Sequence, residues 1–461
     1  MKHLLLIIIF LSSAAVLNAD MAVASKDSKV VVAPITQPHP RLWISKDRLD
    51  FLRQAYNAKS EPHYTALSKM VAVANANLST VTQPYSGNRP DQWRISGTND
   101  GKAAVCLAIS YHITGESKYK QKAIEIIMAR PIHFPKPWEN VDENIDLSFP
   151  DRGLFTVCGT SGLILAYDLL VSEPEFSTEN KKTVELWLNE LLTIIKEDII
   201  RWDTPYKSVS TKTDPRGWIE TNDPRDKYFG GQHFQNHVGE NLMGILQIGY
   251  VLGDRDLVQY ALDSDENPRD LKEMIDGAIH IEGDTDYVRF ELPRVLEVGK
   301  IKGKDLSAAD WHILPPQTGE IYDRYRTIEG SGFGYSQLGL RLLLLCAELA
   351  YKNGIDFYQY TGSNGESLLL PFRFYSEFLI TGDNTIKGGY YVWSKIDDNA
   401  ANEFAELYEL GVLRYPEHKD DFLGVLKMEK YHRADVSLYP THRPNLSWLI
   451  AFGEADFNFK K

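Results

Sequence analysis

Asn236-His237-Val238-Gly239-Glu240-Asn241-Leu242-Met243-Gly244-Ile245-Leu246-Gln247-Ile248-Gly249-Tyr250-Val251-Leu252-Gly253-Asp254 carries apolar residues at three- and four-residue steps and stops at a Gly-acid pair. The spacing predicts a helix over 238–250. Gly just past a helix end takes the left-handed conformation without steric cost, and an acid after it favours the start of the next helix. The same ending recurs in Ile113-Thr114-Gly115-Glu116 and Ile380-Thr381-Gly382-Asp383. Helical periodicity also marks 48–58, 64–78, 102–112, 119–128, 183–200, 271–281, 337–351, 369–379 and 403–413, while convincing strand runs are few. Repeated helix, Gly-acid turn, helix units predict an all-α chain of stacked hairpins, of the solenoid or toroid type.

The rest of the 461 residues bound what such a fold does. Met1-Lys2-His3 is a short basic start, Leu4 to Leu17 is apolar, and Leu17-Asn18-Ala19 ends in small residues. That pattern predicts a signal peptide over 1–19 and a secreted or periplasmic protein. Residues 20–38 read as a flexible leader and 39–461 as a single domain without a clean linker. No later segment is long and charge-free enough for a membrane span. Cys106, Cys158 and Cys346 each sit in an apolar helical stretch, an odd count that reads as buried hydrophobes and not as a disulfide framework. The net charge of -13 disfavours nucleic acid as a partner, since phosphate binding wants a basic field. It leaves room for a local basic cleft, for which Arg94, Arg152, Arg225, Arg324 and Arg326 are candidates. Long aromatic- and Pro-rich segments at 83–99, 131–151, 202–235 and 284–332 are placed to form the rim of a cleft at one end of the helical array.

Chemistry concentrates where these segments run into helices. In Gln232-His233-Phe234-Gln235-Asn236-His237 an amide and an imidazole stand at a helix start, where free amides and the dipole favour a bound carboxylate. About a hundred residues on, Gly332-Phe333-Gly334-Tyr335-Ser336-Gln337 brings a phenol to another helix start. Eliminating a 4-linked uronate requires removing its C5 proton, holding the carboxylate as it becomes enolate-like, and protonating the C4 oxygen. Asn236 suits the carboxylate and Tyr335 the proton, and His237 is either the base or a second carboxylate donor. Arg326 or Arg324, in Tyr322-Asp323-Arg324-Tyr325-Arg326, is the cation for the phenol; the alternative for Arg326 is a surface ion pair with Asp323 or Glu329. Gln232 and His233 are further substrate contacts. Trp93, Arg94 and Asn99, just before the helix at 102–112, offer an aromatic platform and polar groups to a sugar; Thr98 or Asn99 as a helix cap is the plainer reading. His233 and His237 have a zinc-compatible spacing, but no Glu completes the motif and Gly230-Gly231 disfavours helix there. No cofactor is required, and a structural metal ion is compatible.

These residues carry a resemblance. His39-Pro40-Arg41-Leu42-Trp43 followed by an apolar helix resembles the N-terminal part of alginate-lyase-like and heparinase-II/III-like proteins. Asn236-His237 resembles the Asn-Asn-His segment of family five alginate lyases, with Gln235 in place of the first Asn. Gly334-Tyr335-Ser336-Gln337-Leu338-Gly339-Leu340 resembles their Tyr-containing helix start, with Ser after the Tyr and a longer gap from His237. The resemblance implies an incomplete (α/α) toroid and β-elimination with a Tyr as acid or acid/base. It also implies an Asn and a His around the substrate carboxylate and an Arg beside the Tyr. Carried over, these roles fall on Tyr335, Asn236, His237 and Arg326. A single domain with no evident β-sandwich tail is similar to the family thirty-eight lyases, which act on glucuronan or alginate.

The resulting expectation is a lyase on an anionic polysaccharide, a 1,4-linked polyuronate. Two other classes stand beside it. A glycoside hydrolase on the same fold needs paired carboxyls, for which Asp100, Asp151, Asp223 and Glu329 are candidates. A non-catalytic glycan-binding protein needs only the aromatic platform.

Overall fold

The computed structural model describes residues 21–81, 90–133, 152–203, 234–284, 314–392, 394, 396, 403–428, 431–434 and 447–454; the side chains of 90–93, 133, 201–203 and 327–329 are outside the description. The segment expected to be a signal peptide lies outside it as well. Helices α1 (Lys46–Ala58) and α2 (His63–Asn77) open the array. They are followed by α3 (Pro90–Thr114), α4 (Ser117–His133), α5 (Arg152–Leu170), α6 (Thr178–Asp203), α7 (Asn236–Leu252), α8 (Arg255–Leu262) and α9 (Leu271–Ala278). A 3-10 helix (Tyr322–Glu329) leads into α10 (Gly332–Lys352). Then come α11 (Leu369–Thr381), α12 (Tyr408–Arg414), α13 (Lys419–Leu426) and α14 (Trp448–Ala451). Among the described residues the only strands are β1 (Ala22–Val23) and β2 (Ile355–Asp356), paired in parallel.

The inner layer is α3, α5, α7 and α10, side by side and parallel. Thr98 Oγ1 on α3 donates to the Cys158 carbonyl on α5 (3.0 Å), and His112 Nε2, farther along, reaches the Leu169 carbonyl (2.9 Å). Ser161 on α5 and Gln247 on α7 exchange two hydrogen bonds of 2.7 and 2.8 Å. Small residues set the closeness of these crossings. A Cβ on Gly97 would stand 2.2 Å from the Gly159 carbonyl oxygen, so α3 and α5 touch backbone to backbone. The outer helices return antiparallel. Arg130 of α4 reaches back to Asp100 of α3 (2.9 Å), and Asp198 near the end of α6 accepts the Gly153 N–H at the start of α5 (3.0 Å). Chain hairpins of this kind, wrapped around a shared apolar interior, make an incomplete (α/α) toroid. Contrary to the sequence reading, one described helix, α5, is long and apolar enough to cross a membrane, but it is buried within this core.

The Gly-acid turns behave as read: Gly115, Gly253 and Gly382 have φ of +77°, +70° and +67°. Asp254 then caps α8 by accepting the Leu257 N–H (3.0 Å). The three cysteines are buried and none is in a disulfide.

Two further expectations are corrected. Residues 21–38, read as a flexible leader, lie docked on the helical array. Besides the β1–β2 pairing, Val30 and Val32 are buried while Val31 between them is exposed, the alternation of an extended chain on a surface. The Val30 and Val32 N–H groups donate to Asp263 Oδ2 (2.6 Å) and Gln259 Oε1 (3.0 Å). And α3 starts at Pro90, twelve residues before its apolar periodicity does, with proline at the helix's first position, where its missing N–H costs nothing. Trp93, Arg94 and Asn99 therefore lie on the helix and not in a loop preceding it.

Candidate active site

Because the inner helices are parallel, their starts share one end of the ring. At the start of α7, Gln235 is extended (φ -76°, ψ 167°) and makes no side-chain cap bond. The cap comes from elsewhere in the chain. Asp323, on the 3-10 helix, accepts the Asn236 N–H through Oδ2 at 2.8 Å. The Asn236 side chain is buried, with an Oδ1 that has no hydrogen-bond partner among the described residues. His237 beside it is half-buried on a helix that is otherwise almost wholly buried.

Tyr335 lies in the first turn of α10, its N–H bonded to the Ser331 carbonyl (3.0 Å). Over its ring sits Arg326, with the guanidinium carbon 4.1 Å from the ring centroid. Arg326 Nη2 donates to Gln235 Oε1 at 3.2 Å, and its Nε lies 3.5 Å from Asp323 Oδ1. The ion pair left open as a surface contact thus exists, but as a buried one: Asp323 is fully enclosed and Arg326 is 13% exposed. Burial pushes the Asp323 carboxyl up to about 6, opposed by Arg326, by His237 and by the Asn236 N–H. At neutral pH it is ionised and balances the guanidinium.

The 3-10 geometry decides which arginine reaches the Tyr335 ring. With three residues per turn, Asp323 and Arg326 eclipse one another, whereas Arg324 points away. Arg324 is wholly buried, bonded to Glu320 and to the Leu314 carbonyl, with its guanidinium carbon 3.7 Å from the Tyr390 ring centroid. Its expected contact with substrate is therefore corrected to a structural role.

Arg94 is half-buried near the start of α3, 5.6 Å from the Phe155 ring centroid. Asn99 is exposed inside α3, so it is no cap. The Trp93 side chain, Gln232, His233 and Arg225 fall outside the described residues, and Arg152 is half-buried at the start of α5. Of the carboxyls a hydrolase would use, Asp100 is bound by Arg130, while Asp151, Asp223 and the Glu329 side chain fall outside the described residues. Among the described residues no group of three or more His, Cys, Asp or Glu is placed to hold a metal ion. The His39-Trp43 motif holds the fold together. Asp168, fully buried on α5, accepts from His39 Nδ1 (2.6 Å) and from the N–H groups of Arg41 (2.9 Å) and Leu42 (2.8 Å).

The sequence reading missed Asp323 and Gln235 as parts of the site. The only local signal was the three-residue spacing of Asp323 and Arg326, legible once the segment is known to be 3-10.

Comparison with known proteins places this geometry. An alginate lyase from Bacteroides ovatus superposes with a TM-score of 0.53 at 13% identity, over 85% of this chain and 97% of that one. Alginate lyase A1-III from Sphingomonas species A1 gives 0.54 at 12% identity, over 91% and 97%. A single-residue variant of alginate lyase A1-III complexed with a tetrasaccharide gives 0.52 at 13% identity, over 92% and 97%. At these identities the likeness is one of fold. No curated protein matches by sequence. The alginate lyase family profile matches residues 44–379, most of the chain and all of the site just described. The chain belongs to the alginate lyase family and is a polysaccharide lyase.

Proposed function

We propose that the chain cleaves a 1,4-linked polyuronate, polymannuronate or glucuronan, by β-elimination at the Tyr335–Arg326–Asn236–His237 site. The observation that carries this is the Arg326 guanidinium on the Tyr335 ring, held at the buried start of α7. A base takes the C5 proton, the C5–H electrons form the C4=C5 bond, and the C4–O bond breaks with its electrons leaving on the oxygen, which is protonated. The Asn236 side-chain amide suits the carboxylate as it becomes enolate-like. In D-mannuronate and D-glucuronate the C5 proton and C4 oxygen share a face, so Tyr335 serves as base and then acid, with His237 on the carboxylate. In L-guluronate the two lie on opposite faces, and His237 is the better-placed base. Such positive charge as Arg326 supplies is set where a transient phenolate needs it. No organic cofactor enters these steps. Removal of 1–19 on export belongs to the same reading, and the N-terminal sequence of the mature protein tests it.

Ultraviolet absorbance of the protein with polymannuronate, polyguluronate, glucuronan and a neutral glucan tests the proposal. Rising absorbance from a 4,5-unsaturated uronyl end on a uronate, ranked across the polymers, is the expected result. New reducing ends without that absorbance would overturn it.

A further inference from the structure

We propose that Asp323 is a positioning residue for the elimination, one carboxylate that locks the two halves of the active site together. The inference rests on the proposed function above. Tyr335 and Arg326 stand on one side, and Asn236 and His237 stand on the other. They come from two segments that lie far apart in the chain, the start of α7 and the 3-10 helix running into α10. Asp323 touches both: Oδ2 takes the Asn236 N–H (2.8 Å) and Oδ1 faces Arg326 Nε (3.5 Å). α7 has no cap of its own, because the Gln235 side chain is turned to Arg326 instead. The carboxylate therefore does a helix cap's work while also orienting the guanidinium that lies on the phenol.

The neighbourhood is built to hold a charge there. Arg326 faces Asp323 from its own 3-10 helix, and His237 and the Asn236 N–H face it from α7. From α10 the neighbour is Gly339, where a Cβ would lie 3.2 Å from Oδ2. An enclosed carboxylate is costly to keep ionised, and stability alone does not ask for one where a neutral group would pack. Its use is orientation. If the charge is lost, Arg326 loses its partner, and the angle between the α7 start and the phenol loosens.

Asp323→Asn keeps the shape and removes the charge. The expected result is a kcat lowered roughly ten- to a hundred-fold, KM within about threefold of the parent, and a Tm that is unchanged or higher. In the parent, kcat should fall as pH drops through about 6 while the far-ultraviolet circular dichroism holds; in the variant that limb should be lost. A merely structural carboxylate predicts the reverse, a lower Tm with kcat of the folded fraction intact, and that outcome would overturn the proposal. Should the Asn variant not fold, Gly339→Ala sets a methyl 3.2 Å from Oδ2 and 3.0 Å from Ile321 Cγ2, crowding the carboxylate by a few tenths of an ångström with its charge retained. A fall in kcat there supports the proposal, and a parental kcat overturns it. Tyr335→Phe separates the two readings. If it stays active, the elimination site itself is wrong. If it is silent while Asp323→Asn matches the parent in kcat and acid limb, only the role of Asp323 is wrong.

Discussion

Replacing Arg326 by methionine tests how much of the reaction rests on its charge. The guanidinium carbon lies 4.1 Å from the Tyr335 ring centroid, and a phenolate oxygen at the ring's edge is farther, about 5 Å away. Two unit charges at that distance interact by roughly 3 kcal/mol at an effective dielectric of about 20. Asp323 offsets part of that field, and solvent reaches the 13% of the Arg326 side chain that is exposed, which leaves about 2 kcal/mol. A loss of that size in the transition state lowers kcat about thirtyfold. Arg326→Lys keeps the charge but not the planar fork that reaches Gln235, so its kcat should fall between the parent and the methionine variant. Initial rates at saturating polyuronate, followed by absorbance of the unsaturated product, measure both. The assay belongs at mildly alkaline pH. Removing the guanidinium pushes Asp323 further up from about 6, and a second charge change would confuse the result. Melting curves of both variants establish that folded enzyme is compared. A methionine variant within about threefold of the parent, with Tyr335→Phe silent, would show that the guanidinium only packs against the ring.

Three further predictions concern the scaffold. Asp168→Ala leaves the Arg41 and Leu42 N–H groups and His39 without their buried acceptor; it should cost about 3 kcal/mol in urea unfolding, with kcat of the folded enzyme unchanged, and a shift below about 0.5 kcal/mol would contradict the role given to the carboxylate. Gly97→Ala forces a methyl to within 2.2 Å of the Gly159 carbonyl oxygen, so the α3–α5 crossing must open at a cost of about 1–3 kcal/mol; an unchanged denaturant midpoint would mean that the helices do not touch there. His63, buried beside Arg48, is pushed down to about 4 and stays neutral in the fold. The unfolded chain takes up its proton first, below about 6.5, so His63's contribution is complete above 6.5 and is lost as pH falls through about 4, by at most about 3 kcal/mol. The stability of His63→Gln should vary less over that window, and an identical slope would refute the assignment.

Where the chain's local chemistry dictates structure, the sequence is legible. The periodicity of 238–250 and the glycine after it define α7 and its turn, and the same grammar holds at Gly115 and Gly382. Asn236, His237 and Tyr335 were recognisable because helix starts announce themselves nearby in the chain. The failures share a different cause. Valines 30 and 32 are too short an alternation to read as a docked strand, and their partners are more than two hundred residues away. The first turns of α3 escaped because Gly97 packs by smallness and Thr98 by a side-chain hydrogen bond to a backbone carbonyl, which hydrophobic spacing does not register. The choice between Arg324 and Arg326 turned on a 3-10 repeat of three that no local signal declared.

Asp323 is the most instructive of these failures, because each of its contacts is reasonable alone and none is visible together. Its bond to Asn236 spans 87 residues, and it caps a helix whose own N-cap side chain has been diverted to Arg326. A helix start with a missing cap is therefore a question that the sequence poses and only the fold answers. In this chain the answer also joins the Asn236–His237 half of the site to the Tyr335–Arg326 half. Catalysis needs both halves oriented to within a fraction of an ångström, and a local sequence signal places either one but not the angle between them. The group that sets that angle gains nothing from advertising itself in its own neighbourhood. For a site assembled from helix ends, an unexplained cap is thus a better guide to the missing residue than any motif around the residues already found.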